Sequence, residues 1–371
     1  MNRPKSQIGF LDEMRGIAIL SVFLFHSLQA ACGRDQLPWG DWFRSFNVSN
    51  AFLSLLPLSL GWAGVPIFFV VSGFCIHLSF MRNPDWRDFF IRRFFRIYPP
   101  YFFAVILFAL VLPWSRISYG LLGIGQLLSH LFLIHNFDNR FFWGISPSLW
   151  SIAVEAQLYL LYPVLLHLIS HLGWNRTLGY VAALEIGLRL LSSGVLMTTG
   201  QPLPLWFEGL PILYWYSWSI GAVIAESYVL GLPIPFANHS LMGWSIVAIF
   251  STFVKAFDSF SFLLFSLLAA TMIAKLLQKC PTSSLFPTSL AKPFRTIGLW
   301  SYSIYLLHHP FIKAISLISP KLSLPADIQS WILFVVCLGI GIPIFAFSAL
   351  WHHIFEIPSI VASKRIIANF K

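Results

Sequence analysis

Apolar residues gather along this chain in runs of about twenty, with most of the charged residues between the runs. They lie near 13–32, 55–80, 97–113, 121–136, 147–170, 177–197, 209–230, 241–256, 260–277, 298–318 and 328–351. About twenty apolar residues in α-helical form cross the hydrocarbon core of a bilayer. The pattern therefore predicts an all-α, polytopic membrane bundle. The fourth run is the shortest and holds His130 and His135, so it reads as interfacial or re-entrant.

Charge decides between ten and eleven spans. If 121–136 does not cross, sixteen of the 24 Lys and Arg fall inside and seven outside, with Arg189 within a span. If it does cross, every later loop flips and the split becomes twelve to eleven. The positive-inside bias favours the first arrangement: about ten transmembrane helices, both termini cytoplasmic. Arg3, Lys5 and Arg15 precede or open the first run, and no small-residue cleavage site follows. The first span is therefore expected to be retained, with its N-terminus inside.

Composition narrows the class further. Of 371 residues, 57% are hydrophobic and only 10% charged, against about 25% charged in an ordinary globular domain. Mean hydropathy is +0.75. A soluble globular enzyme and a disordered chain are both excluded. The net charge of +10 then reports loops on the cytoplasmic side rather than nucleic-acid binding, and it permits an anionic cytosolic ligand. Cys32, Cys75, Cys280 and Cys337 are scattered with no CxxC, which points to neither a disulfide framework nor a zinc site. His352, His353 and Glu356 have ligand-like spacing but no HExxH order and no convincing third ligand, so no metal is expected. With no internal repeat and no polar linker, one integral-membrane domain over 1–371 is expected, without a fused soluble domain.

Several ionisable residues fall inside or beside the runs. In RGIAILSVFLFH, Arg15 and His26 are eleven residues apart, which returns both to one helix face about 16 Å apart along the axis. Asp12 lies three residues before Arg15, near the same face. A histidine at that depth either acts as base or acid or holds a neighbouring helix by a hydrogen bond. The stretch 81–100 carries Arg82, Arg87, Arg92, Arg93 and Arg96. Arg82 and Arg87 read as topology signals. Arg93 and Arg96, spaced RxxR at the mouth of the third span, lie side by side on a helix and suit phosphate. Pro99 and Pro100 predict a helix start or break there.

Gly61, Gly64 and Gly73 in the second span read as packing residues. Ser72 beside them is either a site residue or a hydroxyl bonded to its own backbone. In the fifth span Ser151, Glu155, Tyr159 and Tyr162 form a polar stripe at helical spacing. Glu155 is a functional candidate, or else an interhelical bond. Glu185 and Arg189 read as a structural pair. Ser301, Tyr305 and His308 share a face of the tenth span, with His309 adjacent; an outer aromatic belt is the other account of them.

Taken together and in order, LDEMRGIAILSVFLFH, GVPIFFVVSGFCI, RRFFRIYPPYF, SLWSIAVEAQLYLLYP, SYSIYLLHHPF and the terminal FEIP resemble integral-membrane acyltransferase family three, which includes O-antigen and exopolysaccharide O-acetylases. The family's Arg-x10-His hallmark falls on Arg15 and His26, and its RxxR pair on Arg93 and Arg96. Glu13 stands where a Gly is common, and His309 where a Trp is usual. The resemblance implies a ten-span bundle in the inner (plasma) membrane that takes a cytosolic acyl-CoA, most often acetyl-CoA, as co-substrate. A hydroxyl acceptor, a cell-surface or exported glycan, would be reached from the other side, and no tightly bound cofactor is implied. His26, Arg15 and Glu155 would be catalytic: His26 as base or acyl carrier, Arg15 polarising the donor carbonyl, Glu155 orienting the histidine or the acceptor. Arg93 and Arg96 would hold the phosphates of the donor. Asp12, Ser72, Tyr159, Tyr305 and His308 are further candidates for substrate contact. The rival from another class is a glycan or lipid-linked transporter or flippase without chemistry, in which the same groups would form a relay; the missing repeat stands against it.

Overall fold

The computed structural model describes residues 8–32, 55–114, 117–279, 284–317 and 325–370. Arg3, Lys5, Arg34, Arg44, Arg116, Lys321, Lys371 and Cys280, used above, lie outside the described residues. Among those residues the chain is helical throughout, without strands. The main helices are α1 (Gly9–Cys32), α2 (Gly64–Arg82), α3 (Trp86–Ile106), α4 (Gly120–Leu131), α5 (Trp150–Thr199), α6 (Trp215–Leu230), α7 (Leu241–Phe253), α8 (Ser261–Lys279), α9 (Thr288–Ser316), α10 (Ala326–Trp351) and α11 (Ile357–Asn369). Among the described residues, six helical stretches are long and apolar enough to cross a membrane. Leu160, Val164, Leu190, Val335 and Ile342 on these stretches, and Ile246 on α7, stand exposed. Water would not tolerate so many exposed aliphatic side chains, whereas lipid tails match them.

The centre of the bundle is drawn together at glycines. α1 packs most closely on α9, and α2 on α6. A Cβ on Gly298 of α9 would sit 1.8 Å from the Asp12 carbonyl oxygen of α1, and one on Gly73 of α2 would sit 2.0 Å from the Trp218 oxygen of α6. Gly64 meets the Ala18 oxygen in the same way. Without a hydrophobic drive between helices in lipid, close backbone approach at small residues is what supplies the packing contacts. The packing reading of Gly61, Gly64 and Gly73 therefore holds.

Three features bear on those expectations. Pro99 and Pro100 do not start or break a helix; they lie inside α3. A membrane helix tolerates proline because its surroundings, rather than water, re-satisfy the freed carbonyls. Arg93 and Arg96 accordingly lie two to three turns into a helix that begins at Trp86. It is Asp85 that caps that helix, its side chain accepting from the Asp88 backbone N–H at 2.7 Å. Second, the runs 147–170 and 177–197 hold as two helical arms, together α5, that meet at a break where Gly173 takes φ +74°. Only glycine adopts that conformation freely. Third, Glu13, noted only as a departure from the family pattern, is a fully buried carboxylate. It accepts from Arg295 Nε at 2.7 Å, Ser284 Oγ at 2.9 Å and the Leu285 N–H at 2.7 Å, tying α1 to the entry of α9.

Candidate functional site

Four central elements bring the site together. On α1, Arg15 Nη1 donates to Asp12 Oδ1 at 2.9 Å, the ion pair that their three-residue spacing allows. Its other terminal nitrogen, Nη2, donates to Cys75 Sγ of α2 at 3.2 Å. On α5, the four-residue spacing turns Ser151, Glu155 and Tyr159 to one face. Glu155 Oε1 accepts from Tyr159 OH and from Ser72 Oγ of α2, both at 2.6 Å, and Trp218 Nε1 donates to Ser72 Oγ at 3.3 Å. Ser72 thus belongs to a buried network rather than to its own backbone. Ser151 Oγ lies 2.7 Å from Tyr305 OH of α9.

These groups line two adjoining cavities. The inner one, about 120 Å³, is walled by Arg15, Ser72, Arg93, Arg96, Glu155 and Tyr159, and by Ser151 and Tyr305 at another side. The outer one, about 410 Å³, is lined by Asp12, Arg82, Asn83 and Arg92. Arg15 and Cys75 line both. Of the three arginines in the inner cavity, Arg15 is paired with Asp12 and Arg96 with Glu356. Arg93 has no carboxylate partner among the described residues; its Nη2 reaches Ser79 Oγ at 3.4 Å and its Nε is buried without a hydrogen bond. An unneutralised buried guanidinium facing a cavity favours an anion there.

His26 and His308 line neither cavity. They meet each other, His26 Nδ1 lying 2.9 Å from His308 Nε2, with the His309 ring edge-on to His26 at 4.7 Å. Tyr305 connects the two regions: it lines the inner cavity, and its ring lies 5.6 Å from that of His308. The expected alternative in which Glu155 orients His26 is not the arrangement found, because Glu155 is bonded to Ser72 and Tyr159 and the side chain meeting His26 is His308.

Two clusters escaped the reading of the sequence. Glu356, in the FEIP segment, is fully buried; it pairs with Arg96, accepts from Ser303 Oγ at 2.9 Å, and lies 2.9 Å from His352 Nδ1. Its four-residue spacing from His352, read as ligand-like, brings the two side chains together. His77 of α2 contacts Glu226 Oε2 through Nε2 at 2.7 Å and Tyr162 OH through Nδ1 at 2.9 Å, which takes Tyr162 off the stripe that faces the cavity. Glu185 and Arg189 do form their buried pair, at 3.0 Å.

Comparison with known proteins identifies the family. A family model described as an acyltransferase domain matches residues 8–351. O-acetyltransferase OatA of Staphylococcus aureus is 27% identical over 323 residues, which cover 78% of this chain and 52% of that protein. Peptidoglycan O-acetyltransferase OatA of Listeria monocytogenes is 30% identical over 289 residues, 68% of this chain and 45% of that protein. The chain spans about half the length of the curated relatives it matches. No solved structure matches it. Because the family match runs unbroken from the first turn of α1 to the end of α10, the chain belongs to integral-membrane acyltransferase family three.

Proposed function

We propose that this protein is a membrane-bound O-acyltransferase that moves an acetyl group from cytosolic acetyl-CoA to a hydroxyl of a cell-surface or exported glycan. The observation that carries the reading is the inner cavity, where Arg15, Arg93, Arg96 and Glu155 converge from three helices. The relatives are named for O-acetylation, one of them of peptidoglycan, which supports a glycan acceptor. Arg93 is the principal contact for an anionic donor, since Arg96 already faces Glu356. Arg15, held by Asp12, lines the path along which the thioester reaches toward His26, about 16 Å further along α1. Glu155, with Ser72 and Tyr159, orients the acceptor. His26 removes the acceptor proton as the hydroxyl oxygen attacks the carbonyl carbon; the carbon–sulfur bond breaks and the departing thiolate takes up a proton. The same nitrogen could first carry the acetyl group and then pass it on. Apolar walls around the site keep water from the thioester.

The arrangement proposed in the membrane is ten spans in the plasma membrane with both termini cytoplasmic. Ten of the eleven apolar runs fall on α1, α2, α3, the two arms of α5, and α6 to α10. The remaining run falls on α4, whose twelve residues extend about 18 Å against a core of about 30 Å. α7 is nearly as short, at thirteen residues, so for that pair charge, not length, makes the distinction.

The test is transfer of labelled acetyl from acetyl-CoA to glycan in reconstituted vesicles. His26→Ala should remain inserted and bind acetyl-CoA but lose transfer. General acid–base assistance alone is worth about 10²–10⁴-fold, so a rate within a few-fold of wild type would end this assignment. Substrate movement with no acetylated product from the wild type would show a transporter instead.

A further inference from the structure

We infer that His308 is a positioning residue that fixes His26 as its Nδ1–H tautomer and so leaves Nε2 of His26 as the unprotonated nitrogen. The inference rests on the catalytic reading of His26 given above, and it follows from the hydrogen bonds around the two rings. His308 Nδ1 lies 3.0 Å from the carbonyl oxygens of both Ile304 and Tyr305. Carbonyl oxygens only accept, so this nitrogen carries the hydrogen and donates to them. A neutral imidazole has one N–H, so His308 Nε2 carries a lone pair. That nitrogen lies 2.9 Å from His26 Nδ1. One hydrogen must stand between them, and with both rings neutral only His26 Nδ1 can supply it. The lone pair of His26 is then on Nε2, the atom that a general base or an acyl carrier must present.

The helix itself sets the direction of the lock. Ile304 and Tyr305 are one turn before His308 on α9, so their carbonyls point at its ring by ordinary α-helical geometry. His308 is fully buried. The His309 ring, where the family usually has Trp, lies edge-on against His26 and limits rotation of that ring from another side. This is the relation in which a partner fixes which nitrogen of a histidine holds the proton, here achieved by a neutral ring instead of a carboxylate.

Two substitutions, read together with the ring-nitrogen spectrum, separate this role from simple packing. Asn at 308 reaches only the Nδ1 position: it can still donate to Ile304 and Tyr305 but offers His26 nothing. Gln at 308 places an amide oxygen near the Nε2 position, where it can accept from His26. His308→Asn should lower kcat about 10²-fold or more with KM for acetyl-CoA within about twofold, and His308→Gln should recover most of the rate. Packing alone would also make Gln the milder change, because it is nearer His in volume, so the rate order counts only together with the state of the ring nitrogens. The direct readout is the ring-nitrogen NMR spectrum of ¹⁵N-histidine-labelled protein in lipid, assigned by the signals lost in His26→Ala. Wild type should show His26 with a protonated Nδ1 and a bare Nε2, and His308→Asn should scramble that pattern. A protonated Nε2 on wild-type His26, or an Asn variant with wild-type turnover and an unchanged spectrum, would overturn the inference. Retained transfer in His26→Ala would instead overturn the catalytic reading, while the nitrogen spectrum would still decide the tautomer.

Discussion

Arg93 and Arg96 stand one turn apart on α3 and face the same cavity, yet their surroundings give them different work. Arg96 neutralises Glu356, which is fully buried and also holds Ser303 and His352. Arg93 faces no carboxylate among the described residues. Arg93→Ala should therefore raise KM for acetyl-CoA by the loss of one charge-assisted contact, about 1.5–3 kcal/mol or roughly 10–150-fold, with little change in melting temperature. Arg96→Ala strands a buried carboxylate and should lower stability by about 2–4 kcal/mol, less than for a wholly buried pair because Arg96 is 36% exposed. Adding Glu356→Gln should recover much of that stability. Donor titration and thermal unfolding in detergent distinguish the two; an Arg96→Ala protein that melts like wild type would remove Glu356 from this account. At this scale the sequence revealed partners that are one or two turns apart, such as Asp12 with Arg15 and Glu155 with Tyr159, because helical spacing alone brings them together. Glu13 with Arg295, Arg96 with Glu356 and His77 with Glu226 were not legible. The members of each pair lie far apart along the chain, and only the packing of distant helices joins them.

The helix crossings make a prediction about elements. At Gly298 any side chain collides with the Asp12 backbone, and backbone cannot rotate aside as a side chain can. Gly298→Ala should push α9 from α1 and destabilise the protein by about 1–3 kcal/mol or more. A Cβ on Gly179, in the outer arm of α5, would meet nothing within 4 Å. Gly179→Ala should be neutral or stabilise by up to about 1 kcal/mol through helix propensity. Thermal unfolding of the two variants checks both signs, and equal melting temperatures would show that the α1–α9 crossing has slack. Hydrophobic runs marked where the helices are, since lipid demands long apolar stretches whatever their packing. They marked the break at Gly173, which falls in the gap between the runs 147–170 and 177–197. They did not mark that α3 persists through Pro99 and Pro100, because that outcome depends on neighbouring elements that a local pattern does not contain.

For the whole molecule the decisive quantity is the distribution of charge between its two sides. A reporter placed at either terminus should register as cytoplasmic, and one placed in the 318–327 segment as outside. A cytoplasmic signal from that segment would overturn the ten-span arrangement. The direction matters for chemistry because Arg15, Arg93 and the outer cavity must open toward the compartment that holds the donor.

The wall that Arg15 and Cys75 share between the two cavities has a consequence for the membrane itself. A polar hollow among membrane helices threatens any cell that stores energy as a proton gradient, since hydrated passages leak ions. A guanidinium in such a hollow repels hydronium and metal cations while leaving an anion free to approach. With Arg15 neutralised by Asp12, that charge falls to Arg93, whose loss should show as faster proton leak across sealed vesicles.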